Sequence, residues 1–220
     1  MSENQETPVI NHWRIDGWFP DVNPEVLKQL KIYHEELVKF NKTLSLVSPK
    51  TVPMADALHF ADSILASRVM MKSPNKFTEI YDLGSGNGFP GLVFALMNPT
   101  IKVHLVEMDI KKCEFLKHLI SATSAKNADV ICTKIESMKE GSVTHAMVRG
   151  FSSISKTILI TRKLVAKGGV IFHLKGEEWG MEVSEIPIQL CSSWAPGLVG
   201  EYRLPVGEVR FSVIKTDKIS

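Results

Sequence analysis

Tyr81-Asp82-Leu83-Gly84-Ser85-Gly86-Asn87-Gly88-Phe89-Pro90-Gly91 holds the densest chemistry in this sequence. Glycines at the alternate positions 84, 86 and 88 let a backbone take positive φ and come close to a ligand. After a strand and at the opening of a helix, such a turn offers backbone N–H groups to a phosphate, a carboxylate or a ribose. Glu107 follows Gly84 by 23 residues, at the end of the next apolar run, where its carboxylate can accept hydrogen bonds from ribose hydroxyls. Arg149 closes a later apolar run and would open onto the same crevice, facing a ligand carboxylate or phosphate.

The glycine turn has competing readings. Gly86-Asn87-Gly88-Phe89-Pro90-Gly91 satisfies GxGxxG, the dinucleotide fingerprint. Counted from the turn residue Gly84 the pattern is instead GxGxG, with Asp82 before it and an acid after the second strand. That arrangement is the one found in enzymes that use S-adenosylmethionine (AdoMet). Nicotinamide binding and a ligand-free glycine turn stay open as rivals. A nicotinamide oxidoreductase would call for a Tyr-x-x-x-Lys pair and a second substrate domain, and the sequence displays neither.

The elements that must hold these residues can be read from periodicity. Asn23-Pro24-Glu25 is a helix start, with Asn as N-cap, Pro at the first helical position and an acid in the first turn. Leu27, Leu30, Tyr33 or His34, Leu37 and Phe40 recur at helical spacing behind it. A second helix follows Pro53, with Met54, Leu58, Ala61, Leu65 and Val69 on its inner face. The residues before Pro20 form an irregular arm. From Thr78 the pattern turns to strands at 79–83, 101–106, 128–132, 143–148 and 169–174, with helices at 90–97, 110–125 and 153–166 between them and a turn at 135–140. Such alternation predicts a mostly parallel sheet covered by helices, an α/β fold. Runs at 198–204 and 208–215, split by Pro205-Val206-Gly207, predict a terminal antiparallel hairpin. Pro187 leaves 177–192 ambiguous. Two domains of organisation result: an N-terminal arm and helical extension over 1–76, and a catalytic-type unit over 77–220.

Composition narrows the function classes. With 44% hydrophobic residues in 220, the chain can bury one sizeable core, and no apolar run reaches the length of a membrane span. The first twenty residues lack a basic segment followed by an apolar one, so no secretory signal is expected. Cys113, Cys132 and Cys191 have no CxxC spacing; this argues against a disulfide scaffold or a cysteine-based metal site and for a reducing cytoplasm. Cys113 reads as a small buried residue of its helix. His104, His118, His145 and His173 lack metal-like spacing. A balance of 26 basic against 24 acidic side chains permits a nucleic-acid partner without requiring one.

The quoted segments resemble one family. Asp82-Leu83-Gly84-Ser85-Gly86-Asn87-Gly88-Phe89-Pro90-Gly91 looks like the loop of the bacterial small-subunit ribosomal RNA guanine-N7 methyltransferases (the RsmG or GidB family). Phe40-Asn41-Lys42, Leu46-Val47-Ser48 and His59-Phe60-Ala61-Asp62-Ser63 upstream, and Val106-Glu107-Met108-Asp109, Ile135-Glu136, Val148-Arg149-Gly150-Phe151 and Leu174-Lys175-Gly176 downstream, agree in the same order. Leu58 stands where the family usually has arginine, and Asn87 replaces a small residue or proline. The resemblance implies a Rossmann-like class I AdoMet-dependent methyltransferase fold. It implies AdoMet contacts from Gly84, Phe89, Ile135, Glu136 and Arg149, with Glu107 on the ribose and Ser85, Gly86 and Gly88 completing the loop.

The implied reaction agrees with what is absent. Guanine N7 carries a free lone pair and no proton, so no general base is needed, and Arg149 would act by positioning. Carbon-5 methylation of a pyrimidine needs a cysteine near the end of strand four, and amine methylation an Asp/Asn-Pro-Pro-Tyr; Met147-Val148-Arg149-Gly150 is neither. The resemblance also makes 16S ribosomal RNA, or the small-subunit particle, the expected partner, with no DNA, no membrane and no metal, and a monomer as the default. His59, Asp62 and Ser63 are its candidates for lining the RNA side of the crevice. Lys111 and Lys112 open a helix, where cations work against the dipole and an anionic partner would relieve them. Lys175, at the end of strand five, is a further candidate. The alternative is a non-catalytic RNA or ribosome-assembly protein that keeps the fold.

Overall fold

A computed structural model describes residues 11–220. The first ten residues of the expected arm lie outside the described part. The rest of the arm includes a short helix, α1 (Ile15–Trp18), where irregular chain was expected. It is pinned by Arg14, whose guanidinium pairs with the fully buried Asp56 at 2.8 Å. In α2 (Pro24–Leu44) the Asn23 side chain accepts from Glu25 N at 2.8 Å, as an N-cap should.

The second helix is interrupted. A 3₁₀ turn (Val52–Met54) and a π-helical segment (Asp56–Ala61) precede α3 (Asp62–Met70). The wider π turn rotates the buried stripe, so the inner face is Ala57, Phe60, Ala61, Ile64, Val69 and Met70, and Met54, Leu58 and Leu65 are only half-buried.

Seven strands form one sheet: β1 (Glu79–Leu83), β2 (Lys102–Glu107), β3 (Ala128–Cys132), β4 (Val143–Arg149), β5 (Val165–Lys175), β6 (Trp194–Arg203) and β7 (Arg210–Lys218). Their order is β3-β2-β1-β4-β5-β7-β6, with β7 antiparallel to β5 and to β6 and all other pairs parallel. Helices α4 (Gly91–Met97), α5 (Ile110–Thr123) and α6 (Ile154–Thr161) make the crossovers, and α7 (Trp179–Ser184) and α8 (Ile188–Cys191) flank Pro187. The chain runs outward through β1, β2 and β3, then returns to lay β4 on the other side of β1. The order therefore reverses between β1 and β4, and ligands of such sheets sit at the carboxyl edge beside that reversal.

Strand alternation feeds two apolar layers. Met147 and Phe172 face one layer with Phe60, Phe94 and Phe115, while Ala146, Val148 and Ile171 face the other with Ile154 and Ile158. β5 starts earlier and α6 ends earlier than expected. The reason is Gly168-Gly169: Gly168 has φ +78°, and a Cβ on Gly169 would meet the Thr144 carbonyl at 2.9 Å, where the β4–β5 register shifts. These glycines read as a strand boundary in the sequence but lie inside the strand.

The cysteine expectation needs a correction. Cys113, buried near the start of α5, and Cys132, at the end of β3, are disulfide-bonded with Cα atoms 5.9 Å apart. Parallel pairing of β2 with β3 places Cys132 opposite Glu107, and α5 returns over that edge. Cys191 is free and exposed. Among the described residues no helix is long and apolar enough to cross a membrane, and no His, Cys, Asp and Glu group could hold a metal.

Candidate active site

The loop after β1 is tied to β2. Gly84 N and Ser85 N donate to the Val106 carbonyl at 2.9 and 3.0 Å, and Ser85 Oγ donates to the Asp82 carbonyl at 2.8 Å. Gly86, at φ +55°, has nothing within 4 Å of a would-be Cβ except the Gly84 carbonyl at 3.8 Å. Its bare backbone is the part of the loop open to a ligand. Gly91 does a different job: a Cβ there would overlap Asp82 and Leu105, so this glycine lets α4 sit on β1. The literal GxGxxG match therefore ends on a packing residue.

Asp82 is buried beneath the loop and accepts from Gly91 N at 3.1 Å. Burial pushes its carboxyl up to about 7, against the bonds from Ser85 and Gly91 and the charge of Arg149. Glu107 is also largely buried, but its two oxygens are met by amides. Oε2 accepts from Gly86 N at 2.8 Å; Oε1 accepts from Met108 N at 2.8 Å and Asp109 N at 2.9 Å. The acid of β2 is thus bonded directly to the glycine loop, with one lone-pair site, on Oε2, left over for a ligand.

Arg149, at the end of β4, forms the opposite wall. Its Nε pairs with Asp62 Oδ2 at 2.9 Å, and one Nη bonds the Leu58 carbonyl at 2.8 Å and His59 Nδ1 at 3.0 Å. Burial and the neighbouring guanidinium push His59 down to about 3, so the ring is neutral near pH 7. With Nδ1 facing Arg149 as acceptor, the proton sits on Nε2, which has no partner among the described residues. The His59 ring stacks on Phe89 at 5.3 Å, and Phe89 stacks on Tyr33 at 4.8 Å.

These groups enclose a cavity of about 560 Å³ at the carboxyl edge, next to the β1/β4 reversal. Of the residues singled out in the sequence, Gly84, Ser85, Gly86, Phe89, Glu107, Ile135, Glu136, Arg149, His59 and Lys112 line it. Gly88 does not; it lies under the Tyr33 hydroxyl, which donates to the Asn87 carbonyl at 2.7 Å. Asp62 and Ser63 are buried behind the wall. Lys111 lies off the cavity, and the start of α5 carries its own anion, Asp109, whose side chain accepts from Lys112 N. Lys175 is also outside: its ammonium is held by the Ser152 carbonyl at 2.7 Å and by Glu182 at 2.7 Å. Residues the sequence reading did not single out for the site include Leu46, Met108, Thr133 and Phe151 in the lining and Tyr33 and Tyr202 behind it. Leu46, Met108 and Phe151 fall inside segments quoted for the family resemblance, Met108 next to Glu107 and Phe151 two residues past Arg149, whereas Thr133 had no such signal.

The cavity has a carboxylate at one end, a guanidinium at the other and backbone between them. Such a site suits a ligand with a diol at one end and a carboxylate at the other, and AdoMet has both. Titratable groups reach the lining, yet none pairs with a nucleophile as a base would.

Comparison with known proteins gives the family and the fold. The profile of the family GidB, described as rRNA small subunit methyltransferase G, matches residues 26–194. Ribosomal RNA small subunit methyltransferase G 3 of Bdellovibrio bacteriovorus is 59% identical over 222 residues, covering 100% of both chains. Ribosomal RNA small subunit methyltransferase G of Paramagnetospirillum magneticum is 32% identical over 177 residues, covering 76% of this chain and 84% of its own. Among solved structures, the YcgJ protein of Bacillus subtilis superposes with a TM-score of 0.53 at 11% identity, over 74% of this chain and 100% of that one. TYW2 of P. horikoshii, in complex with MeSAdo, does so with a TM-score of 0.52 at 15% identity, over 70% and 61%. At those identities the structures speak for the fold alone, a Rossmann-like class I methyltransferase fold. The profile, by contrast, spans most of the sequence, and the chain belongs to the GidB family, the rRNA small subunit methyltransferases G.

Proposed function

We propose that this protein transfers a methyl group from AdoMet to N7 of a guanine in 16S ribosomal RNA. The observation that carries the reading is the polar axis of the cavity: Glu107, bonded to Gly86 on the glycine loop, faces Arg149 across the β1/β4 reversal. Glu107 would hold the ribose hydroxyls, Gly84 to Gly86 the backbone side of the donor, Ile135 and Glu136 the base, and Arg149 the carboxylate. When bound, AdoMet supplies a sulfonium-activated methyl group, which an in-line lone pair takes in one displacement while the C–S electron pair stays on sulfur.

The chain's own contribution is positioning. N7 has no proton to lose, which fits a lining with no activated base. The neutral His59 adds no positive charge where the methylated ring acquires one, and Glu107 and Glu136 favour it. Residues 1–76 would act as an extension that shapes the substrate face, since Leu46 and His59 reach the cavity rim. Ribosomal RNA or the small-subunit particle would be held mostly through its phosphates, by a cytoplasmic monomer.

The test is incubation with methyl-labelled AdoMet and 16S rRNA lacking the modification, followed by mapping of the label. Label on a single guanine N7 is expected. Label on a pyrimidine or an exocyclic amine would overturn the chemistry; AdoMet binding without transfer to rRNA or to small subunits would favour a non-catalytic assembly role.

A further inference from the structure

The wall that holds Arg149 is completed from the far end of the chain. Asp62 is 2% exposed and carries two bonds: Oδ2 pairs with Arg149 Nε at 2.9 Å, and Oδ1 accepts from the Tyr202 hydroxyl at 2.6 Å. Tyr202 lies on β6, 140 residues away in sequence, stacked on Phe211 of β7 at 5.8 Å. Residue 202 is beyond the segment that the family profile matches, 26–194. Arg149 lines the cavity, and its second Nη has no hydrogen-bond partner among the described residues.

We infer that Tyr202 is a positioning residue for the active site: through Asp62 it fixes Arg149 so that its unpaired Nη faces the donor's carboxylate. The physical argument is one of orientation. A buried carboxylate with a single partner turns toward it freely, whereas one fixed at both oxygens has a defined plane. Arg149 then has three anchors, Asp62, the Leu58 carbonyl and His59 Nδ1, which spend Nε and one Nη and leave the other Nη to the cavity. The Leu58 anchor is a backbone carbonyl, so it does not depend on the side chain there. The Tyr202 hydroxyl serves no other partner among the described residues. Burial and the adjacent Asp62 hold it well above the usual phenol range, so it stays a donor at any working pH.

The inference rests on the proposed function and is tested beside it with wild type, Tyr202→Phe, Asp62→Asn and the double variant. AdoMet affinity is measured by isothermal titration, and KM for AdoMet and for unmodified 16S rRNA by labelled transfer. Loss of one hydrogen bond to a charged group should raise Kd and KM for AdoMet about tenfold in Y202F, with KM for RNA within about twofold. The double variant should be no worse than D62N, because both changes break one chain of contacts. Unchanged AdoMet affinity in Y202F would overturn the inference. So would a parallel rise of both KM values with a lowered melting temperature, which is what a merely structural residue produces. Should Y202F fail to fold, an unchanged AdoMet KM in D62N overturns it equally. If wild type binds AdoMet but transfers nothing, the proposed reaction fails, and the titration of Y202F still decides the role of Tyr202.

Discussion

Replacing Glu107 by Gln keeps shape and removes charge, and its effect can be worked from three hydrogen bonds. The carboxylate accepts from Gly86 N at one oxygen and from Met108 N and Asp109 N at the other. An amide retains one accepting oxygen, and its NH₂ cannot accept at all. The favoured orientation keeps Met108 and Asp109 satisfied and turns the NH₂ toward Gly86 N–H, so two donors face each other at the open part of the loop. Losing a bond to a charged group costs about 1.5–3 kcal/mol. Ribose hydroxyls would also lose a charged acceptor. A total near 3 kcal/mol is therefore expected in AdoMet binding, on the order of a hundredfold in Kd. Isothermal titration measures it, with circular dichroism to establish that the variant is folded. The lost Gly86 bond should lower the melting temperature by about 3–12 °C, at roughly 2–4 °C per kcal/mol for a chain of this size. A folded Glu107→Gln protein that binds AdoMet within threefold of wild type refutes the reasoning.

Three other expectations separate ligand contact from packing. Gly86→Val puts a branched side chain at φ +55° in the open side of the loop and should abolish AdoMet binding; retained affinity in titration would contradict the loop's role. Gly91→Ala must displace Asp82 and Leu105, so it should lose roughly 1–3 kcal/mol in urea unfolding, and a stability equal to wild type would show the α4–β1 packing to be softer than described. Asp82→Asn tests the buried acid: its carboxyl is raised to about 7 when folded, so the proton is held more tightly than in the unfolded chain. Its contribution to stability therefore falls as pH rises from about 4 to about 7, by up to just over 1 kcal/mol per pH unit, and Asn should remove that slope. Parallel urea midpoints of the two proteins from pH 5 to 8 would refute it.

What could be read in the sequence was local. The turn at Gly84 to Gly88 and the acid Glu107 belong to consecutive strand–helix units, and their spacing is set by the fold repeat itself. Arg149 was readable for the same reason. Tyr33, which caps the Asn87 carbonyl from α2, and Tyr202 were not, because their partners lie 54 and 140 residues away. The mutual position of His59 and Asp62 depended on a π turn that no apolar spacing announces. Lys175 could be placed at a strand end, but its pairing with Glu182 depended on how α7 folds back over it. The Cys113–Cys132 bond had a usable clue: β2 and β3 as parallel neighbours set the end of β3 beside Glu107, and Cys113 lies six residues past that acid.

The Tyr202–Asp62 contact also sets a timetable. During synthesis the glycine turn, its acid and the β4 arginine all leave the ribosome before β6 exists, and a domain generally folds as a unit. A chain ending before residue 202 holds the glycine turn, the acid and the arginine in its sequence but lacks the second partner of Asp62 and the strand that carries it. The wall behind Arg149 is thus complete only once nearly the last strands have joined the sheet.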